Sequence, residues 1–142
     1  MPLQFAEDGV RFVYPETWEM TRESNPTGWT VTLQSPATAF VLITLDRDMP
    51  ESELMAETAL EAMQGEYADL ESETVTESIA GQPAIGYNMR FFSFDLTNTC
   101  GVRGLYAEAG TVLVFWQTND LELDNVETMV HALLASMKLD ED

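Results

Sequence analysis

Residues 40–45 read Phe-Val-Leu-Ile-Thr-Leu, and residues 112–116 read Val-Leu-Val-Phe-Trp. Successive side chains of a β-strand point to opposite faces. In both stretches nearly every residue is apolar, so both faces of each strand would be apolar. Strands of this kind lie in the centre of a sheet that is covered on both sides. The two stretches therefore predict the middle of a sheet packed between two layers.

Strand patterns continue outward from this centre in both directions. Val10–Tyr14 alternates and stops at Pro15, which cannot donate to a strand ladder. Residues 29–34 alternate between apolar and polar side chains, as a half-buried strand does. A Gly-Gln-Pro-Ala turn at 81–84 leads into a long strand over 85–94, and a strand over 98–107 ends in a tight hairpin at 108–110. Short turns between successive strands predict an antiparallel meander of about six strands.

Two helices interrupt the strands. Residues 52–67 are rich in Glu, Ala, Leu and Met, which favour helix. Five of them are spaced as one buried stripe: Met55, Ala59, Ala62, Met63 and Tyr67. The second helix is predicted to begin at Asp124, with Glu127 completing a capping box and Lys138 in the last turn. Its buried stripe comprises Val126, Met129, Val130, Leu133, Leu134 and Met137. The whole chain, 1–142, is expected to form one α/β (α+β) domain with the sheet between the two helices.

The acidity of the chain excludes one class of function. With 25 Asp+Glu against 6 Lys+Arg the formal net charge is −19, while a hydrophobic fraction of 45% is ordinary for a folded domain. Six basic residues cannot form the basic patch that nucleic acid or an anionic membrane requires. Ten acids lie between Asp48 and Glu77 with no basic residue among them. This run indicates either a salt-adapted, solvated surface or a site for a basic partner.

The location is expected to be cytoplasmic. The start of the chain shows no basic and apolar leader pattern, and its longest apolar run is far shorter than the roughly 20 residues of a membrane span. Cys100 is the only cysteine, which agrees with a reducing compartment. Whether the protein is a monomer or a homodimer cannot be decided from these patterns.

The order of elements resembles a known superfamily. The residues that carry the resemblance are Phe12-Val-Tyr-Pro15 followed by Trp18, the acidic helix from about Ser52, the turn at 81–84, Arg103-Gly-Leu-Tyr106 before a hairpin, and Ser136-Met137 closing the final helix. Together they resemble the PsbP-like and Mog-type Ran-binding proteins, whose relatives include DcrB-like proteins and type VI effector-associated chaperones. The resemblance implies an antiparallel sheet sandwiched by helices and a non-catalytic protein that binds other proteins. Fold alone does not settle function.

The common catalytic and cofactor-binding motifs are absent from the sequence. It contains no nucleophile elbow, phosphate-binding loop, dinucleotide fingerprint or zinc-protease motif, so neither an enzyme nor a cofactor is expected. His131 is interpreted as a non-catalytic residue at the border of the apolar stripe of the second helix, four positions after Glu127. Cys100 is interpreted as a packed or partly exposed thiol rather than a reactive one. The acidic clusters at 120–124 and 140–142 lack the pattern of a calcium loop and are interpreted as solvated carboxylates, with no metal expected.

Aromatic residues provide the remaining functional indication. Arg90, Phe92 and Phe94 alternate onto one face of the long strand, and Arg and aromatic residues are common at protein interfaces. Either Phe92 and Phe94 lie beneath a helix, as central strands favour, or they form a groove rimmed by acids. The second interpretation makes them candidate partner-binding residues together with Glu53, Glu57 and Glu61 of the first helix. We therefore expect a protein-binding or adaptor module with a basic or salt-sensitive partner. The alternatives are a chaperone-like binder of an apolar segment, and a small-ligand protein or enzyme.

Overall fold

The computed structural model of the protein describes residues 2–139. It contains ten strands and two helices, which follow one another along the chain: β1 (Leu3–Glu7), β2 (Val10–Tyr14), β3 (Glu19–Asn25), β4 (Gly28–Gln34), β5 (Phe40–Asp46), α1 (Ser52–Glu66), β6 (Glu71–Ile79), β7 (Gln82–Ser93), β8 (Leu96–Tyr106), β9 (Thr111–Asn119), α2 (Leu123–Ser136) and β10 (Lys138–Leu139). Neither helix is long and apolar enough to cross a membrane.

Seven strands form one antiparallel sheet in the order β3-β4-β5-β9-β8-β7-β6. After β5, helix α1 carries the chain from the middle of the sheet to its far edge, where β6 begins. Hairpins through β7 and β8 then return it to the middle, where β9 pairs with β5 and places Ile43 opposite Val114. The two apolar stretches thus lie side by side in the centre, as predicted. β1, β2 and β10 form a separate small sheet.

One face of the large sheet carries the main core. Val41, Ile43 and Leu45 of β5 and Val112 and Val114 of β9 are all fully buried there, against the N-terminal hairpin and α2. All six residues of the predicted stripe of α2 are buried in the same core. Burying a side chain of this size contributes about 1.5–3 kcal/mol. This face therefore supplies most of the apolar burial.

Helix α1 covers part of the opposite face. Ala56 and Leu60 are its most deeply buried apolar side chains, and they pack with Met89, Phe91 and Val102 of β7 and β8. The predicted fold class, a sheet between two helices, is confirmed, with more strands than the six expected.

Trp29 of β4 points to the main core on the other face of the sheet and is fully buried there. Its indole Nε1 donates a hydrogen bond to Asp8 at 2.8 Å.

Coverage of the central strands differs from the prediction. Phe40 and Leu42 of β5, with Leu113 and Phe115 of β9, are only half-buried. They lie on the same face as α1, but α1 packs mainly over β7 and β8 and leaves this part of the face open. The expectation that both faces of these strands are covered is therefore wrong for one face.

The sequence patterns do not predict β3 and β6. Every side chain of β3 is exposed, and β6 buries only Ile79. Neither edge strand shows the apolar alternation by which strands are recognised. Backbone pairing with β4 and β7 forms them instead. The last three acids of the run between Asp48 and Glu77, which are Glu71, Glu73 and Glu77, therefore belong to a strand.

Details of both helices also differ. In α1, Ala62 is exposed and the buried line passes through Ala56 and Leu60, so the stripe is turned slightly from its predicted position. α2 begins at Leu123, and no side chain caps it. The predicted capping box at Asp124 is therefore wrong. Lys138 lies beyond the helix in β10.

Candidate partner-binding surface

The β7–β8 hairpin ends in a strained turn. Ser93 pairs with Leu96, which leaves Phe94 and Asp95 as a two-residue loop. Both have positive φ, 52° for Phe94 and 62° for Asp95. This turn geometry favours Asn or Asp followed by Gly. A bulky residue with positive φ is an outlier that strains the backbone.

The Phe94 side chain is almost unburied, so it contributes little to the stability of the fold. It is 96% exposed, and Phe92, two residues earlier, is 57% exposed. Phe91, the residue directly before Phe92, points to the other face, where it is 3% exposed and stacks on Tyr67 at 3.8 Å between ring centroids. The same hairpin thus carries one phenylalanine that holds α1 in place and two that contact water. We call Phe92 and Phe94 the aromatic tip.

Arg90 lies on the same sheet face as Phe92 and opposite Glu71 of β6. The interpretation that Phe92 and Phe94 lie beneath a helix is wrong. Helix α2 packs mainly against β2 and β9, and Phe92 and Phe94 lie beyond it, exposed to solvent. The structure therefore brings Arg90 and the aromatic tip together on an exposed surface.

Beside this surface lies a polar groove of about 480 Å³ between α2 and strands β6–β8. Its sides carry Glu71 and Glu73 of β6, Arg90 of β7, and Glu127 and His131 of α2. The three carboxylates outnumber the guanidinium groups of Arg90 and Arg103, which also lines the groove, so the groove carries a net negative charge. A basic side chain would be favoured there over an acidic one.

The floor of the groove is a buried arginine. The Nε of Arg103 donates to Glu77 Oε2 at 2.6 Å, Nη2 donates to Asn88 Oδ1 at 2.8 Å, and Nη1 donates to the carbonyls of Tyr87 and Val102. Its guanidinium lies 5.0 Å above the ring of Trp116. Because the protein itself occupies these donors, Arg103 braces the sheet and is poorly placed to bind an anion.

The three glutamates of α1 lie elsewhere. Glu53, Glu57 and Glu61 are exposed on the helix that covers the opposite face of the sheet. They do not line the groove beside Arg90, so as candidate partner-binding residues they form a separate acidic surface. Glu71, Glu73 and Glu127 line the groove instead, and sequence reasoning missed them because the pairing of β6 with β7 was not predicted.

The other titratable residues that the sequence singled out are Cys100, His131 and the two acidic clusters at 120–124 and 140–142. Cys100 is buried beneath α1, and desolvation raises the pKa of its thiol to about 12, which agrees with a packed thiol. His131 is exposed on α2. Within the described range no three His, Cys, Asp or Glu side chains converge to hold a metal. In the acidic cluster at 120–124, the Glu122 carboxylate accepts a hydrogen bond from Ser35 Oγ at 3.0 Å. The acidic cluster at 140–142 lies outside the described residues.

Comparison with known proteins identifies the architecture. No protein-family model and no curated protein matches the chain. Among solved structures, the cyanobacterial PsbP of Synechocystis, CyanoP, superposes with a TM-score of 0.58 at 18% identity, covering 98% of this chain and 92% of CyanoP. The fold is similar to that of PsbP.

Other solved structures share this PsbP-like fold. A protein from Bacteroides thetaiotaomicron gives a TM-score of 0.62 at 10% identity over 98% of this chain. This chain spans about half of that protein, 48% of its length. LpqN of Mycobacterium tuberculosis, described as involved in cell envelope biogenesis, gives 0.54 at 10% identity, covering 99% of this chain and 90% of LpqN. At such identities the likeness concerns the fold alone.

Proposed function

We propose that the protein is a non-catalytic binding module that contacts a partner protein through its aromatic tip. One observation carries the proposal: Phe94 is 96% exposed in a turn position with φ of 52°. Neither apolar burial nor backbone preference accounts for phenylalanine there. A rigid aromatic side chain that is exposed when the protein is alone is typical of an interface anchor.

The charge around the tip indicates the kind of partner. The groove beside Arg90 is negative, and the whole chain carries −19. Such a field speeds the association of a basic partner and slows it as salt is added. The partner is therefore a protein with a basic surface around an apolar side chain. We also propose that the chain belongs to the PsbP-like superfamily that contains Mog-type Ran-binding proteins, a proposal that the likeness to the CyanoP fold supports.

Photo-crosslinking tests the role of the tip directly. Replacing Phe94 by the photoreactive aromatic benzoylphenylalanine keeps a large ring at the proposed anchor. Met49 provides the matched control position, since it is exposed and has a positive φ of 55° but lies at the opposite end of the sheet. Irradiation in a lysate of the source organism should give a discrete crosslinked protein from position 94, and that product should be absent from position 49.

Two additions make the experiment decisive. Excess unlabelled wild-type protein should remove the crosslink, whereas excess Phe92→Ser/Phe94→Asn protein should leave it. The yield should also fall as salt rises, because exposed charges are screened. Equal crosslinking from positions 94 and 49, or competition by the double variant as strong as by wild type, would show that the tip is not the contact site.

A second candidate function rests on the open apolar sheet face. Phe40 and Phe115 are half-buried and stack at 6.1 Å between ring centroids, with Leu42 and Leu113 beside them. This strip would suit a chaperone-like role toward an apolar segment. In that case Leu42→Gln should weaken capture of the segment while Phe94→Asn should not. The reverse result favours the aromatic tip.

A further inference from the structure

Strand β6 forms a long open edge of the large sheet. Its nine residues pair with β7 over the full length, from Glu71 opposite Arg90 to Ile79 opposite Gln82. Within residues 2–139 no strand pairs with its other side. An edge strand of this kind presents a row of unpaired backbone N–H and C=O groups.

The usual means of closing such an edge are missing from β6. Its sequence, Glu-Ser-Glu-Thr-Val-Thr-Glu-Ser-Ile, contains neither proline nor lysine, and its one-to-one register with β7 has no bulge. Natural proteins blunt exposed edges with these features because an open edge accepts further strands. Negative charge is the one protective feature that β6 has.

The charge of β6 is confined to one face. Glu71, Glu73 and Glu77 alternate onto the face that borders the groove, and serines and threonines occupy the other face. A second copy pairing antiparallel about Val75 would place Glu73 opposite Glu77. Like charges directly opposite each other destabilise a strand pair. The edge is therefore unfavourable for self-association and favourable for a strand of opposite charge.

The neighbouring basic residues do not cancel this charge. Arg103 is buried and satisfied by Glu77. Arg90 lies opposite Glu71, while Glu73 accepts only a long 3.3 Å hydrogen bond from Asn88. Glu127 of α2 adds a further carboxylate across the groove. An added strand would thus meet a net negative face.

We infer that the β6 edge binds an extended segment of a partner protein that carries Lys or Arg at alternate positions, opposite Glu71 and Glu73. The segment would join the sheet as an eighth strand, with affinity from backbone hydrogen bonds and selectivity from the basic side chains. This inference stands apart from the aromatic tip, since it rests on a different strand and on backbone pairing.

A synthetic peptide tests it. The antiparallel complement of β6 from Ile79 to Glu71 is Val-Thr-Lys-Thr-Val-Thr-Lys-Thr-Lys, with each lysine opposite a glutamate. The control is an isomer of the same composition with the three lysines adjacent. Fluorescence anisotropy of labelled peptides against the full chain should show at least tenfold tighter binding of the alternating peptide. Hydrogen–deuterium exchange should show new protection in residues 71–79.

Paired variants separate the edge from overall charge. Glu71→Gln/Glu73→Gln should weaken binding of the alternating peptide about tenfold. Glu57→Gln/Glu61→Gln removes the same charge from α1 and should change binding less than twofold. Equal binding of the two peptides, equal weakening by the two double variants, protection outside β6, or no binding would each overturn the inference. Protection of β6 by a second copy of the chain would overturn it as well.

Discussion

Replacing Phe94 by asparagine should stabilise the protein slightly. Because Phe94 is 96% exposed, the covered part of its ring is about 10 Å², and its loss costs about 0.2 kcal/mol at 25 cal/mol/Å². The left-handed conformation, here with φ of 52°, costs an ordinary L-residue about 1 kcal/mol, most of which asparagine avoids. The expected net change is a gain of about 0.5 kcal/mol in the free energy of unfolding.

Urea denaturation followed by tryptophan fluorescence, at one fixed ionic strength, measures this change. Phe91→Ala in the same hairpin provides the contrast, because Phe91 is 3% exposed and stacks on Tyr67. That substitution should cost about 3–5 kcal/mol, as truncation of a buried phenylalanine does. If Phe94→Asn instead lowered the free energy of unfolding by more than about 1 kcal/mol, Phe94 would have a folding role and the reasoning would be refuted.

Three further predictions concern the sheet beneath the surface. Arg103→Met should lower the free energy of unfolding by about 2–3 kcal/mol in urea denaturation, because it removes the hydrogen bonds that Arg103 donates to Glu77 and to the carbonyls of Tyr87 and Val102. An unchanged midpoint would contradict the bracing role. Gly101→Ala should lower the free energy of unfolding by about 1–3 kcal/mol, because the added methyl group would overlap the Trp116 ring. Normal stability together with an unshifted tryptophan emission spectrum would contradict this prediction. Burial raises the pKa of Cys100 to about 12, so the contribution of this thiol to stability should be constant below its ordinary pKa of about 8.5 and fall above it, because the unfolded state loses the thiol proton first. Melting temperatures across this range, with Cys100→Ala as the control that lacks this component, measure the effect, and an identical pH dependence in the two proteins would contradict it.

Much of the fold could be predicted because the central strands and α2 have strong periodic patterns. Ile43 and Val114 belong to runs that only a buried strand explains, and Val126 to Met137 repeat at helical spacing. The edge strands could not be predicted because their side chains stay in water and their form comes from pairing with β4 and β7. Coverage of the sheet depends on where α1 and α2 lie, which no local pattern specifies.

The candidate site was predictable in its residue types and not in its surroundings. Alternation placed Arg90 and Phe92 on one face, and the structure agrees. The glutamates of α1 were grouped with them as part of the same acidic field, but α1 lies on the other side of the sheet. The acids near Arg90 come from β6 and α2, which meet only in three dimensions.

The affinity of the partner captured at position 94 shows directly whether the aromatic tip is the contact site. It should be measured by biolayer interferometry on wild type, Phe92→Ser/Phe94→Asn and Met49→Asn. If the aromatic tip is the contact site, the double variant should bind at least about tenfold more weakly, equivalent to about 1.4 kcal/mol, and Met49→Asn should change the affinity less than about twofold. Equal affinity of the double variant and wild type, with both proteins fully folded, would contradict the proposed role of the tip.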